Sequence, residues 1–381
     1  MKIIYLANVR IPTEKAHGLQ IMKMVQAFKK ANREVELVVA ERYNPNLDKI
    51  NPFDYYGLDS EFSIKRLWLL DLVDFKKYLR NFSVLLQNTS FGVSALIYLY
   101  LFNKKSDLIY SRDEFSLFFL CWFKKNLVFE LHTFPKSKKF LYKIIFQRVK
   151  KIVVITDKLK QLVLELGIAA DKIIVCPDGV DLNDFQLSGD KKSLRQKLNL
   201  PQEKNIILYT GHLFNWKGVY VLAKASKYLS ENELIVFVGG MEHDSKKLAD
   251  FIAQEGLKNI LLVNHQAPTA IPQYLAAADV LVLPNSAKKA ISVSYTSPMK
   301  MFEYMAAQRP IVASDLPSIR EILNENNAIL VKPDDSQSLA EGIKLALQNG
   351  VLSGKISAQA LLDVQKFSWQ NRAKNILESI K

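Results

Sequence analysis

The chain has 381 residues, 49% of them hydrophobic and 24% charged, with 52 Lys/Arg against 38 Asp/Glu and a formal net charge of +14. This composition excludes a disordered or fibrous chain; only two cysteines, Cys121 and Cys176, exclude a disulfide framework and fit a reducing compartment. The length suggests two domains at ~100–200 residues each, and residues 1–183 carry 29 Lys/Arg against 19 Asp/Glu where the remainder carries 23 against 19, a bias that favours an anionic partner: nucleic acid, an anionic membrane or a phosphorylated substrate.

The opening MKIIYLANVR predicts a strand over 2–7. Its apolar run stops at Asn8, too short for the apolar block of a secretory signal. A first β–α loop follows, AHGLQIMKM, leading into a helix over 18–31. Gly18 there lets backbone approach a ligand beside His17, or simply caps the helix. Further strands are predicted at 34–39, 107–110, 127–130 and 151–155. The apolar stretch Phe91–Phe102 has 12 residues, short of the ~20 that span a bilayer, so no transmembrane helix is expected. In VFELHTFP, 128–135, His132 stands just past a strand's carboxyl end. An imidazole there can hydrogen-bond or titrate near neutral pH, although a lone histidine is commonly structural. Residues 136–160 hold nine Lys/Arg against one acid, Asp157, with Phe140, Leu141, Ile144, Ile145 and Val149 on one helical face. That pattern suits an anionic membrane surface or a core helix with a solvated basic face.

The stretch CPDGVDLNDFQLSGD, 176–190, reads as a linker. Beyond it strands are predicted at 205–210, 234–239, 260–263, 279–283 and 310–313, with helices at 217–229, 244–255, 271–277 and 299–307. In LYTGHLFNWKG, 208–218, a strand gives way to glycine and then to a lysine at a helix start, a place where free N–H groups favour an anion such as a diphosphate. In SYTSPMKMFEYMAAQRPIVAS, 294–314, small residues precede a helix whose first turn suits Pro298 and whose Glu303 sits one turn in. A carboxylate there can accept both hydroxyls of a ribose, or it is an ordinary surface Glu. A second crossing between domains is placed near Phe367–Trp369, before a last amphipathic helix. Strand–helix alternation in two series predicts an α/β chain of two doubly wound parallel sheets, with ligands beyond the carboxyl ends of the strands. No G-x-G-x-x-G follows the first strand, and no P-loop, C-x-x-C, H-E-x-x-H or Asp-x-Asp occurs.

Taken in order and spacing, these segments resemble the retaining glycosyltransferases of family 4, which have the GT-B fold. The resemblance runs through His17–Gly18, ELH at 130–132, PDGVD at 177–181, G-H-x4-K-G at 211–218, VGG at 238–240, IPQYLAAADVLVLPNS at 271–286 and TSPMKMFEYMAAQRPIVASDLPSIREIL at 296–323. It implies two facing Rossmann-like domains with an interdomain cleft: an acceptor-binding domain over 1–183 with a returning helix at 367–381, and a donor domain over 184–366. It implies that Lys217 is the phosphate lysine and Glu303 the ribose glutamate. Ser297, Pro298 and Met299 would meet the diphosphate through backbone, joined by Gly211, His212, Gly239 and Gly240, with Gly18 giving it room from the other domain. The base would contact residues near Asn264–Gln266, His265 among them. His132, with His17, would sit by the transferred sugar and the acceptor, so that His132, Lys217 and Glu303 are the catalytic set.

Three positions depart from the family pattern. Tyr295 stands where a sugar-contacting Glu is frequent, and His212 where a phosphate arginine is usual; Gln308 also replaces a common glycine. With less charge at His212, Lys217 and Lys300 would carry more of the compensation. The implied activity is transfer of a sugar, with retention, from a nucleotide-sugar donor, UDP- or GDP-linked, to a glycan or lipid-linked acceptor in cell-surface polysaccharide or glycolipid synthesis. No metal and no other cofactor is expected. Alternatives are a non-catalytic sugar-nucleotide-binding subunit and a GT-B sugar-nucleotide epimerase. Nucleic-acid binding has only the charge in its favour. The expected location is cytoplasmic, peripheral on an anionic membrane face through 136–160.

Overall fold

The computed structural model describes residues 1–71, 76–102, 106–134, 139–295 and 297–381, the side chains of 76–81 and 139 excepted. Among the segments singled out above, Lys136, Lys138, the side chain of Lys139 and Thr296 lie outside the described residues. Two compact units are present: Met1–Pro177 with Trp369–Lys381, and Asp178–Ser368.

The first unit is built on seven parallel strands: β1 (Lys2–Ala7), β2 (Glu34–Ala40), β3 (Ser63–Leu67), β4 (Leu108–Ser111), β5 (Leu127–Leu131), β6 (Lys151–Val154) and β7 (Ile173–Val175), in the order β3-β2-β1-β4-β5-β6-β7. Ile3 faces Val35 on one side and Leu108 on the other. Central strands such as β1 and β5 are buried along their length, as expected of a parallel sheet covered on both faces.

The second unit has six parallel strands: β8 (Asn205–Thr210), β9 (Glu233–Val238), β10 (Ile260–Val263), β11 (Val280–Leu283), β12 (Ile311–Ser314) and β13 (Ile329–Val331), in the order β10-β9-β8-β11-β12-β13. Alternate residues feed opposite cores. Ile206, Leu208, Val236 and Leu281 pack with Phe302, Tyr304 and Met305 of the helix Met299–Ala306. Ile207, Tyr209, Ile235 and Val282 pack with Leu222, Leu248 and Ile343. Helices therefore lie on both faces. In each sheet the order reverses beside its first strand, β1 against β4 and β8 against β11, and such a switch point leaves a crevice at the strands' carboxyl ends.

Three expectations change. The first unit ends at 177, not 183, because Val180 is buried in the second unit's core, donates its N–H to Phe367 O at 3.0 Å and bridges Ser368. The apolar stretch at 91–102 belongs to a longer helix, Lys76–Leu101. Its portion Phe82–Leu101 is long and apolar enough to cross a membrane by length and composition, and 28% of its most apolar window is buried. Asn88, Thr89 and Ser90 interrupt the apolar run without interrupting the helix. Finally, the basic helix Lys139–Arg148 turns Ile145 and Phe146 into the core, and Val149 after it is also buried. Part of its apolar face is thus spent inside the protein, while Phe140, Lys143, Arg148 and Lys150 remain exposed.

Candidate functional site

The second unit gathers most of the singled-out residues at the carboxyl end of its sheet. β8 ends at Thr210, and the chain turns at Gly211 with φ +108°. His212 follows, then a short turn Asn215–Lys217, then Gly218, also left-handed, which leads the helix Val219–Ala225. Gly218 is required by packing: a Cβ there would lie 1.6 Å from the carbonyl oxygen of Pro284. Trp216 O accepts the Ser286 N–H at 3.0 Å. The loops after β8 and β11 are thus locked together at the switch point. Lys217 is one residue short of the helix rather than its first residue, and its Nζ lies 5.8 and 5.3 Å from the Phe214 and Trp216 ring centroids. Desolvation among these groups pulls its pKa down to about 8.

His212 stacks on Phe214 with ring planes 6° apart. Burial, then the charge of Lys217, lowers its pKa to about 4, so it is neutral at neutral pH. Gly239 and Gly240 follow β9 at φ +116° and +83°, and a Cβ on Gly239 would lie 2.8 Å from Gly211 O. His265 is exposed just beyond β10.

The helix Met299–Ala306 approaches from the β11 side. Pro298 is its N-cap, with extended backbone, rather than part of its first turn. Met301, Phe302, Tyr304 and Met305 are fully buried, leaving Glu303 half-exposed among them. The Tyr304 hydroxyl accepts the Thr210 N–H at 2.8 Å, which ties Glu303's helix to the end of β8. Ser297 Oγ accepts the Asp178 N–H at 3.3 Å. Among the described residues, three buried side-chain atoms at this end lack a hydrogen-bond partner: His212 Nδ1, Asn285 Oδ1 and Lys300 Nζ. Unsatisfied buried polar atoms are rare in folded proteins, and a cluster of them at a switch point marks a place prepared for a polar ligand. Asn285 and Tyr304 were not singled out in the sequence. The signal for Asn285 is a polar residue directly after an apolar strand, in VLVLPNS.

In the first unit, His132 follows β5, and its Nε2 lies 2.6 Å from Glu130 Oε1. Glu130 is 1% exposed. The same oxygen accepts from Gln20 Nε2 at 2.8 Å and Arg372 Nη2 at 2.7 Å, and Tyr5 donates to Oε2 at 3.3 Å. Burial alone would raise the Glu130 pKa, but Arg372 and His132 hold it well below the usual range. An ionised Glu130 therefore fixes the His132 ring as a donor from Nε2. Arg112 Nη1 in turn donates to Gln20 Oε1 at 2.6 Å. His17 lies near the same cations; burial, then Arg112, lowers its pKa to about 3. Gly18 has a structural explanation within its own unit: it lies inside the helix Ala16–Lys30, and a Cβ there would meet Tyr56 Oη at 2.2 Å. Glu130 and Arg372 are the residues that sequence reasoning missed here. The one clue was an acid inside the apolar strand LVFEL, since a buried charge demands a partner.

Residues 20–184 match the family Glycosyltransferase Family 4, and residues 190–361 match Glycosyl transferases group 1. The chain is 29% identical over 170 residues to a putative teichuronic acid biosynthesis glycosyltransferase, TuaC, of Bacillus subtilis, covering 44% of this chain and 40% of TuaC. It is 25% identical over 243 residues to a lipopolysaccharide 1,2-N-acetylglucosaminetransferase of Salmonella typhimurium, covering 61% and 62%. These matches thus span less than two thirds of the relatives' length. Among solved structures, Anabaena Alr3699/HepE in complex with UDP and glucose superposes with a TM-score of 0.77 at 18% identity, over 100% of this chain and 99% of that one. Sucrose-phosphate synthase of Thermosynechococcus elongatus gives 0.76 at 18% identity, over 99% and 98%. Likeness of that kind shows the fold: two Rossmann-like domains of the GT-B type.

Proposed function

The chain belongs to the GT-B glycosyltransferases that join a family 4 domain to a group 1 domain, and from that premise we propose that it transfers a sugar from a nucleoside-diphosphate sugar to a glycan or lipid-linked acceptor. The observation that carries this reading is the set of unsatisfied polar atoms around Gly211 and Lys217, beside Glu303, at the β8–β11 switch point. The similarity to proteins named for teichuronic acid and lipopolysaccharide synthesis and to a structure holding UDP and glucose supports a nucleotide-sugar donor and a cell-surface product.

In this reading Glu303 takes the ribose hydroxyls, Lys217 and nearby backbone N–H groups take the diphosphate, and His265 lies toward the base. The bond from the anomeric carbon to the phosphate oxygen breaks, and a bond to the acceptor oxygen forms on the same face. The acceptor's proton passes to the departing phosphate, which leaves as a nucleoside diphosphate. Charge develops on that leaving group, so preorganised cations and N–H donors aimed at it supply the largest catalytic contribution. The scheme asks no metal of the site. In this reading His132, held by Glu130, serves the acceptor in the first unit.

The test is a thermal-shift panel of UDP-, GDP- and ADP-sugars, followed by turnover with the sugar nucleotide that stabilises most. Lys217→Ala is expected to keep the fold and lose ~10²–10³ in rate; near-wild-type turnover would overturn the assignment. The anomeric configuration of the product, read by NMR, is expected to match that of the donor.

We also propose that the first unit works at an anionic membrane face in the cytoplasm. Its exposed Trp122 and Phe123 lie beside Lys125, and the Arg148 guanidinium sits 4.1 Å above the Trp122 ring. Phe140 of the basic helix is 78% exposed. Aromatic side chains interleaved with cations suit a headgroup layer.

A further inference from the structure

Lys300 is the second residue of the helix Met299–Ala306 and is only 8% exposed. Its Nζ has no hydrogen-bond partner among the described residues. It stands 3.6 Å from the centroid of the Tyr209 ring, and a Cβ built on Gly211 would lie 3.6 Å from it. The amine therefore overlooks the turn from which His212 and Lys217 depart.

The groups that face it are Tyr209 on β8, His212 and Lys217 on the following loop, and Glu303 one turn along its own helix. Tyr209 is itself fully buried, with its hydroxyl donated to His212 O at 2.7 Å. His212 is neutral at neutral pH, so it brings no charge to the loop it shares with Lys217. Two amines remain, and neither forms a salt bridge among the described residues.

We propose that Lys300 is a second cation of the donor diphosphate site, replacing with its buried amine the charge that His212 does not bring. The inference rests on the donor reading above and names a residue that reading does not require. Burial, then repulsion from Lys217, pushes the Lys300 pKa well down, with Glu303 opposing weakly. An anion arriving at the site raises the pKa that burial and Lys217 depress, so diphosphate binding is expected to carry net proton uptake.

The experiment is titration calorimetry of the full chain with UDP, GDP, ADP and inorganic pyrophosphate. It is run in two buffers of different ionisation heat, on wild type, Lys217→Met, Lys300→Met and Lys300→Gln. Wild type is expected to bind one of the nucleoside diphosphates with proton uptake near neutral pH. Both Lys300 variants are expected to bind it at least ~10-fold more weakly and with the uptake lost. Lys300→Met is also expected to melt no lower than wild type without ligand, since it removes an unpaired buried amine; a merely structural lysine gives a lower melting temperature with affinity intact. Lys300 variants that bind within twofold of wild type, while Lys217→Met binds weakly, overturn this inference and leave the donor reading standing. Weak binding by the Lys300 variants alone sustains it and removes Lys217 from the site. A wild-type chain that binds none of the four probes overturns both.

Discussion

Lys217 and Glu130 are both charged groups held away from water, and each makes a pH prediction. Burial lowers the Lys217 pKa to about 8, so its charge disappears just above neutrality. If the charged form holds the diphosphate, kcat/KM for the donor falls as pH rises through about 8. Lys217→Arg, which stays protonated, is expected to keep its rate, though lower throughout, up to pH 9. A pH–rate profile of both proteins checks this. The Glu130 pKa is also lowered, but there the shift favours the charged form: its folded value lies well below the ordinary 4.5. Its contribution to stability is therefore complete above pH ~4.5 and is lost as pH falls from there toward the folded value. Glu130→Leu takes the carboxylate partner from buried Arg372 and is expected to cost about 3–5 kcal/mol. Urea melts at pH 7 and pH 4 test both statements, because the acid sensitivity is expected to shrink in Glu130→Gln.

At the scale of elements, the loop after β8 and the helix Met299–Ala306 are held by single contacts that admit little change. Gly218→Ala drives a methyl into the Pro284 carbonyl and is expected to destabilise by about 2–4 kcal/mol, with loss of nucleotide binding. Gln308, just past the C-terminal end of the helix, has φ +54°, a conformation that costs a side-chain-bearing residue ~1–2 kcal/mol. Gln308→Gly is expected to raise stability by up to ~1 kcal/mol, once the added freedom of the unfolded chain is counted, and to leave turnover unchanged; thermal melts and an activity assay decide. These elements also show what a sequence reveals. β1, β8 and β10 were read with their observed ends because their apolar runs are bounded sharply. β3, SIKRL, escaped because an edge strand need not be apolar, and β7 and β13 escaped because three residues make no pattern. The glycine-bounded loop 211–218 and Glu303 were legible through motif spacing. The Glu130–Arg372 pair was not, because its partners are 242 residues apart and no local pattern joins them.

For the whole molecule, the charge excess and the exposed apolar surface fall on the same unit. Trp68, Phe82, Ile97, Tyr100, Phe102, Trp122 and Phe123 are all exposed in the first unit, and the helix bearing three of them, Phe82, Ile97 and Tyr100, packs beside Glu114–Leu120, which leads into the last two. Flotation with anionic liposomes is expected to bring the protein up with the lipid, less so at high salt. Trp122→Ser with Phe123→Ser is expected to abolish flotation and leave donor binding intact. Flotation unchanged in that double variant removes these aromatics from the membrane reading.

The return of residues 369–381 to the first unit has a consequence for synthesis. The helix Trp369–Ile380 packs on Ala16–Lys30, and Arg372 reaches Met24 Sδ at 3.1 Å as well as Glu130. Glu130 leaves the ribosome 242 residues ahead of its ion-pair partner, which at ~5–20 residues per second is a wait of about 12–50 s. Through that interval the core acid of the first half has His132 and Gln20 but not its guanidinium partner. The second unit, all of whose residues emerge before Arg372, is able to close first. The order of completion therefore runs opposite to the order of translation.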